Sequence, residues 1–60
     1  MNHPRNTQLN EAILFYGQEV TASVIDMVTN VGDADGVYSL YQDMGMENYA
    51  ECLKLLYFEQ

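Results

Sequence analysis

The segment QLNEAILFYGQEVTASVIDMVTNV, from Gln8 to Val31, decides the fold because its apolar residues recur every three or four positions. This spacing is typical of an α-helix, in which such residues share one side. The segment therefore predicts one long helix over residues 7–31. The main apolar row of this helix comprises Leu9, Ile13, Tyr16, Val20, Val24, Met27 and Val31.

A second, partly apolar row lies on another side of the same predicted helix. A surface helix in a small monomer needs only one apolar stripe. A chain of 60 residues also has a marginal core, and its single cysteine, Cys52, excludes an internal disulfide. We therefore expect association, with a second copy or with another protein, to complete the fold. The predicted contact row is Leu14, Gln18, Thr21, Ile25 and Val28.

Two shorter helices are predicted in the second half of the chain. Glycine and aspartate residues between positions 32 and 36 indicate a turn. Either Asp33 or Asp35 is expected to cap the helix that follows, over residues 36–44. After a glycine, helical spacing of apolar residues resumes and predicts a third helix over residues 47–58.

These elements predict an all-α fold in which the long helix packs against a hairpin of the two shorter ones. The fold would form a single domain, residues 7–60, preceded by a flexible tail, residues 1–6. No stretch alternates between apolar and polar residues for long enough to indicate a strand.

The net charge of −7 excludes several classes of partner. Nine acidic residues stand against only Arg5 and Lys54, whereas proteins that bind nucleic acids neutralise phosphates with basic side chains. Direct binding to DNA, RNA or anionic membranes is therefore not expected. The longest apolar run, residues 12–16, is far shorter than the roughly 20 residues that span a bilayer. A free cysteine without an apolar export signal predicts a cytoplasmic protein.

Glu11, Glu19 and Asp26 project in neighbouring directions from the predicted long helix and form an acidic strip. The simpler interpretation is a solvated face. The alternative is a surface that docks on a basic protein, such as one that normally holds nucleic acid, because complementary charge speeds encounter. Three carboxylates on one helix do not reproduce the spacing of phosphates, so this inhibitor hypothesis ranks second.

Phe15 lies away from both apolar rows, among acidic residues, and is the best candidate for an interface anchor. An aromatic side chain supplies a large contact area at low entropic cost. The tyrosines can serve in the same way, although packing at the edge of the core is the simpler interpretation of Tyr16, Tyr41, Tyr49 and Tyr57.

The acidic turn resembles part of an EF-hand loop but lacks its essential ends. If Gly36 is the obligatory glycine, Val31 occupies the first ligand position and Gln42 the position of the bidentate glutamate. The sequence therefore predicts a turn and a helix cap here, and no metal site.

The chain also lacks a recognisable catalytic set. Cys52 would need a nearby cation to become reactive, and Lys54, two positions away, projects from another side of the helix. His3 is the only histidine and has no evident acid–base partner. We therefore expect a protein that is not an enzyme and has no cofactor.

Residues 40–53, LYQDMGMENYAECL, resemble the opening helices of sterile-alpha-motif domains. In both, a leucine, a glycine followed by an apolar residue, a tyrosine and a further apolar residue recur at similar spacing. The likeness covers about a quarter of the chain at its C-terminal end, which leaves no room for the remaining helices of such a domain. It therefore implies a shared helix–glycine–helix turn and no function.

As a whole, the chain resembles the short acidic early proteins of lambda-like phages, especially those of the exo–xis region. Its length of 60 residues, the opening residues 1–12 and the tyrosine-rich end, residues 37–60, carry this resemblance. It implies an accessory protein that adjusts host or phage development by binding another protein. It supplies no site residues.

The expected function is therefore that of a regulatory interaction protein, acting through a helical apolar surface in the host cytoplasm. Its expected partners are a second copy of itself, a host protein, or both. The alternative is the acidic inhibitor of a nucleic-acid-binding protein.

Overall fold

A computed structural model describes residues 6–59, which form four α-helices. These are α1 (Asn6–Tyr16), α2 (Gln18–Val31), α3 (Ala34–Asp43) and α4 (Glu47–Leu53), and α4 continues as a π-helical turn, Lys54–Phe58. No strand occurs in residues 6–59, so the all-α prediction is confirmed for this part of the chain. Most of the predicted tail lies outside the described residues, but Asn6 already belongs to α1.

The predicted long helix is instead two helices, because the chain breaks at Gly17. The backbone of Gly17, with φ 91° and ψ 158°, lies in a region that is essentially restricted to glycine. Its N–H donates to the carbonyl of Ile13, and its carbonyl accepts from Thr21, so one helix ends and another begins there. A continuous helix of about 25 residues would measure roughly 37 Å. The longest dimension of the molecule is 27 Å.

The turn between α2 and α3 follows the predicted chemistry closely. Gly32 ends α2 in the left-handed conformation, and its N–H donates to the carbonyl of Val28. The carboxylate of Asp33 accepts a hydrogen bond from the N–H of Gly36 at 3.1 Å and so caps α3. Because Asp33 is the cap, α3 begins at Ala34, two residues before the predicted start.

The turn between α3 and α4 is closed by two backbone hydrogen bonds. The N–H groups of Gly45 and Met46 donate to the carbonyls of Gln42 and Tyr41, respectively, a pattern that satisfies the last carbonyls of a helix. This tight closure brings α4 directly against α3. Together, α4 and the π-helical turn occupy the range predicted for the third helix.

The core lies around α4, which packs against α1, α2 and α3. Because the chain breaks at Gly17, α1 is not coaxial with α2. It packs against both α4 and the π-helical turn. The radius of gyration, 10.1 Å, is close to the roughly 10.4 Å of a compact chain of this length. The buried residues are Ala12, Thr21, Val24, Val28, Val37, Tyr41, Ala50, Cys52, Leu53 and Leu56.

Within residues 6–59, no helix has the length and apolar character needed to cross a bilayer.

Candidate functional site

The predicted contact row does not form a continuous outward-facing surface. Thr21 and Val28 are each only 2% exposed and belong to the core, and Ile25 is half-buried against it. Leu14 and Gln18 are exposed. The row divides because α2 packs against three other elements, which cover Thr21, Ile25 and Val28. Of the main row, Met27 and Val31 remain exposed. The expectation that a partner must cover the α2 part of the row is corrected accordingly.

The most exposed apolar residues lie at the end of α1. The side chains of Leu14 and Phe15 are 78% and 65% exposed, and Ile13 beside them is 39% exposed. We call these three residues the apolar end of α1. Full burial of a large apolar side chain contributes about 1.5–3 kcal/mol of favourable free energy. Burial of this surface against a partner would therefore favour binding substantially. The sequence singled out Leu14 and Phe15, and the structure brings them together next to Gly17.

The ring of Phe15 has one aromatic neighbour, Tyr16. Their centroids are 6.4 Å apart and their planes stand at 86°, an edge-to-face arrangement. Tyr16 is half-buried and packs against the core. Partial burial raises the pKa of its hydroxyl above the ordinary value, and the nearby charge of Glu51 raises it further. Tyr16 thus connects the exposed ring of Phe15 with the core.

An open cleft of about 290 Å³ lies where α3 ends and α4 begins. It is lined by Gln42, Gly45, Glu47, Ala50 and Glu51. The two glutamates are one helical turn apart and therefore share one side of α4. The sequence pattern does not predict this cleft. The spacing of Glu47 and Glu51 was its only available signal, because the cavity itself depends on how the turn at Gly45 sets α4 against α3.

A second group of exposed apolar residues was also not recognised from the sequence. The apolar residues of the predicted second helix are at positions 37, 40, 41 and 44. In the structure Val37 and Tyr41 are buried, whereas Leu40 and Met44 are exposed. The side chains at these four positions project over a wider arc around α3 than the part of the helix that packs against α4 and α2.

The acidic strip is also divided by the break at Gly17. Glu11, Glu19 and Asp26 are all exposed, but Glu11 lies on α1 and the other two on α2. Helical spacing therefore aligns only Glu19 with Asp26, whose carboxylate accepts a hydrogen bond from Asn30 at 3.4 Å. The expectation of one strip on a single helix is corrected.

The negative charge of this chain is solvent-facing throughout. All nine acidic residues are exposed, and no ion pair joins any two of residues 6–59. Lys54 is the only cation in that range. The exposed carboxylates are consequently not neutralised by ion pairs within the described part of the chain.

Cys52 is fully buried. Its thiol donates to the hydroxyl of Thr21, with Sγ and Oγ1 3.7 Å apart. Burial raises the pKa of the thiol above its ordinary value of 9.0, although the hydrogen bond with Thr21 acts in the opposite direction. A buried thiol with a raised pKa is a poor nucleophile at neutral pH.

Alkaline pH is therefore expected to destabilise the protein. The folded state holds the thiol proton of Cys52 more tightly than the unfolded chain does, so stability is fully present below pH 9 and falls as the pH rises through that value. Tyr16, Tyr41 and Tyr57 add to the fall above pH 10, since their pKa values are also raised. Urea denaturation at a series of pH values measures this effect. In the Cys52→Ser variant, the decline should begin about one pH unit later. Unchanged stability up to pH 10 would contradict this assignment.

Within residues 6–59, no group of three histidine, cysteine, aspartate or glutamate side chains could hold a metal ion. In the turn that resembles an EF-hand loop, Asp33 caps α3 instead. His3 lies outside the described residues.

Comparison with known proteins gives no family model, no curated protein and no solved structure that matches this chain.

Proposed function

We propose that the chain is a small non-enzymatic interaction protein that binds another protein through the apolar end of α1. The exposure of Leu14 and Phe15 carries the proposal. These side chains remain exposed although residues 6–59 enclose a core of their own, so burying them requires contacts from outside this part of the chain. Contiguous exposed apolar residues are typical of surfaces that bind proteins. The resemblance to early phage proteins adds a regulatory role toward a host or phage factor, exercised in the host cytoplasm.

The first partner to consider is a second copy of the chain. In a symmetric dimer, Leu14 and Phe15 of both copies would contribute about 6–12 kcal/mol if all four side chains became fully buried. Association itself costs an estimated 4–15 kcal/mol, and partial burial would reduce the gain. The two ranges overlap, so this surface supports at most weak self-association. A different partner can add contacts that a second copy lacks.

A photo-crosslinking experiment tests the proposal directly. With p-benzoylphenylalanine in place of Phe15, irradiation of cells that express the chain should give a discrete crosslinked product. The same reagent in place of Ser39, an exposed polar residue of α3, is the matched control and should give none. The Leu14→Ser change should reduce the product at least about tenfold, because a buried leucine is worth more than 1.4 kcal/mol. A product from Ser39 as strong as that from Phe15, or none from Phe15, would refute the proposal.

The second candidate function is an acidic inhibitor of a nucleic-acid-binding protein. Its support is the set of nine exposed carboxylates, none of which forms an ion pair within residues 6–59. If this function is correct, the combined change Glu11→Gln, Glu19→Gln and Asp26→Asn should abolish the crosslinked product, while Leu14→Ser should leave it intact. The proposed function predicts the opposite order.

A further inference from the structure

We propose that Gly17 is the hinge of a domain swap, in which α1 of one copy leaves its own core and packs into the core of a second copy. In this exchange residues 6–31 become one continuous helix, and each copy supplies the α1 that the other has lost. The exchange involves the contacts of α1 with the core, so it is separate from the proposed binding through Leu14 and Phe15.

The linker between α1 and α2 is a single residue. Tyr16 ends one helix and Gln18 begins the next, so Gly17 alone turns the chain. Its φ of 91° and ψ of 158° lie in a region that is essentially restricted to glycine, and α2 begins there without a side-chain cap. Short linkers under strain favour domain swapping, because opening them releases the strain.

The hydrogen bonds on either side of Gly17 already have the pattern of a continuous helix. The N–H of Gly17 donates to the carbonyl of Ile13, and its carbonyl accepts from the N–H of Thr21. A helix through this position would also pair the N–H groups of residues 18–20 with the carbonyls of residues 14–16. At helix ends such groups depend on caps or on water. The open form therefore gains backbone hydrogen bonds at the hinge.

The apolar pattern of the chain fits the open form as well as the closed one. The main apolar row runs through position 17 at helical spacing, from Tyr16 to Val20 and on to Val24. In one continuous helix these residues share one side. In the closed form Tyr16 and Val20 pack against the core, and Val24 belongs to it. The same row can therefore face a core in both forms.

A second copy is the occupant because an open helix cannot return to its own core. Residues 6–31 in one helix would measure roughly 39 Å. The longest dimension of the closed molecule is 27 Å. In that molecule α1 packs against α2, α4 and the π-helical turn, and its Ala12 is 0% exposed. Opening uncovers these surfaces, and the α1 of another copy is a segment that already fits them. Exchange of an identical element is a low-cost route to a dimer.

Charge opposes the exchange at low ionic strength. Two copies carry 2 × (−7) = −14, and the acidic residues are exposed. Salt screens repulsion between exposed charges, with a Debye length of about 10 Å at 0.1 M. The dimer fraction should therefore rise with salt concentration.

Alanine of either hand at position 17 provides a matched pair of variants. L-alanine favours the continuous helix, whereas D-alanine favours a positive φ and hence the turn. A chain of 60 residues is short enough for chemical synthesis of both. In sedimentation experiments Gly17→Ala should lower the Kd of the dimer at least about a hundredfold, because each dimer contains two hinges. The chain with D-alanine should stay monomeric at the concentrations at which Gly17→Ala dimerises.

Crosslinking identifies the copy against which α1 packs. The amide nitrogen of Gln8 donates to the backbone carbonyl of Glu59 at 2.7 Å, so these positions mark where α1 docks. A chain with Gln8→Cys and a chain with Glu59→Cys, both also Cys52→Ser, are unfolded in urea and refolded together at high concentration. A short bismaleimide should join the two chains in a yield above that of either chain alone. Both chains keep Gly17, so this test does not depend on the stability of Gly17→Ala.

The swap would be overturned by equal dimerisation of the L-alanine and D-alanine chains. A Gly17→Ala chain that is monomeric at every concentration, folded or unfolded, would overturn it too, because the exchange should restore the fold as a dimer. A dimer without the crosslink between positions 8 and 59 of different copies would show that association uses another surface. The crosslink from position 15 to a different protein reports separately on the proposed function.

Discussion

Replacing Leu53 with alanine is expected to unfold most of the protein at room temperature. Leu53 is 0% exposed and lies on α4, which packs against the three other helices. Truncation of a buried leucine costs about 2–5 kcal/mol. The core of a chain this small rarely supplies more than about 3–5 kcal/mol of stability. Far-UV circular dichroism and urea denaturation would measure the loss of helix and of stability.

The matched control is the same substitution at Leu14, which is 78% exposed. Leu14→Ala should change the free energy of unfolding by no more than about 0.5 kcal/mol, as is usual for surface positions. The core assignment would be refuted by a Leu53→Ala variant that keeps the urea midpoint of the wild type. Equal destabilisation by the two variants would refute it as well.

Replacing Gly17 with alanine should produce the second large effect, a loss of about 1–3 kcal/mol. The positive φ of 91° is costly for any residue that carries a Cβ atom. No neighbouring atom lies within 4 Å of the position such a Cβ would take, so the cost comes from the backbone and not from a clash. A shift of the urea midpoint to lower concentration measures it.

The Gly17→Ala variant can avoid this strain only by joining α1 to α2 in one helix. In that case α1 would leave the core, and small-angle X-ray scattering would show a radius of gyration larger than that of the wild-type chain. Gly32→Asn is the control, because asparagine tolerates the left-handed conformation that Gly32 adopts at the end of α2. The break at Gly17 would be disproved if Gly17→Ala matched the wild type in both stability and size.

Local signals in the sequence predicted much of the fold correctly. The range of the third helix matches α4 and its π-helical turn, and one of the two proposed caps, Asp33, is the cap of α3. Phe15 was singled out because it lies outside both apolar rows, and it is 65% exposed. These features depend on helical periodicity and on hydrogen bonds between residues close in the chain, so sequence alone could reveal them.

The break at Gly17 could not be recognised in the same way. The main apolar row passes through this position without interruption, from Ile13 and Tyr16 to Val20. A glycine within a helical pattern is tolerated, at a cost of about 1 kcal/mol relative to alanine. Whether this segment forms one helix or two depends on how much apolar surface α1 buries against α4 once the chain turns at Gly17.

The sequence by itself determined the helical class, the caps, the acidic surface and the unusual position of Phe15, since each follows from residue type and local spacing. Tertiary structure alone decided that Thr21 and Val28 are core residues, whereas Leu14 of the same predicted row is exposed. It also set Glu47 and Glu51 beside a cleft. The physical reason is that the burial of a side chain depends on which helices pack against it. The turn at Gly17 changes this packing without changing the apolar pattern of the sequence.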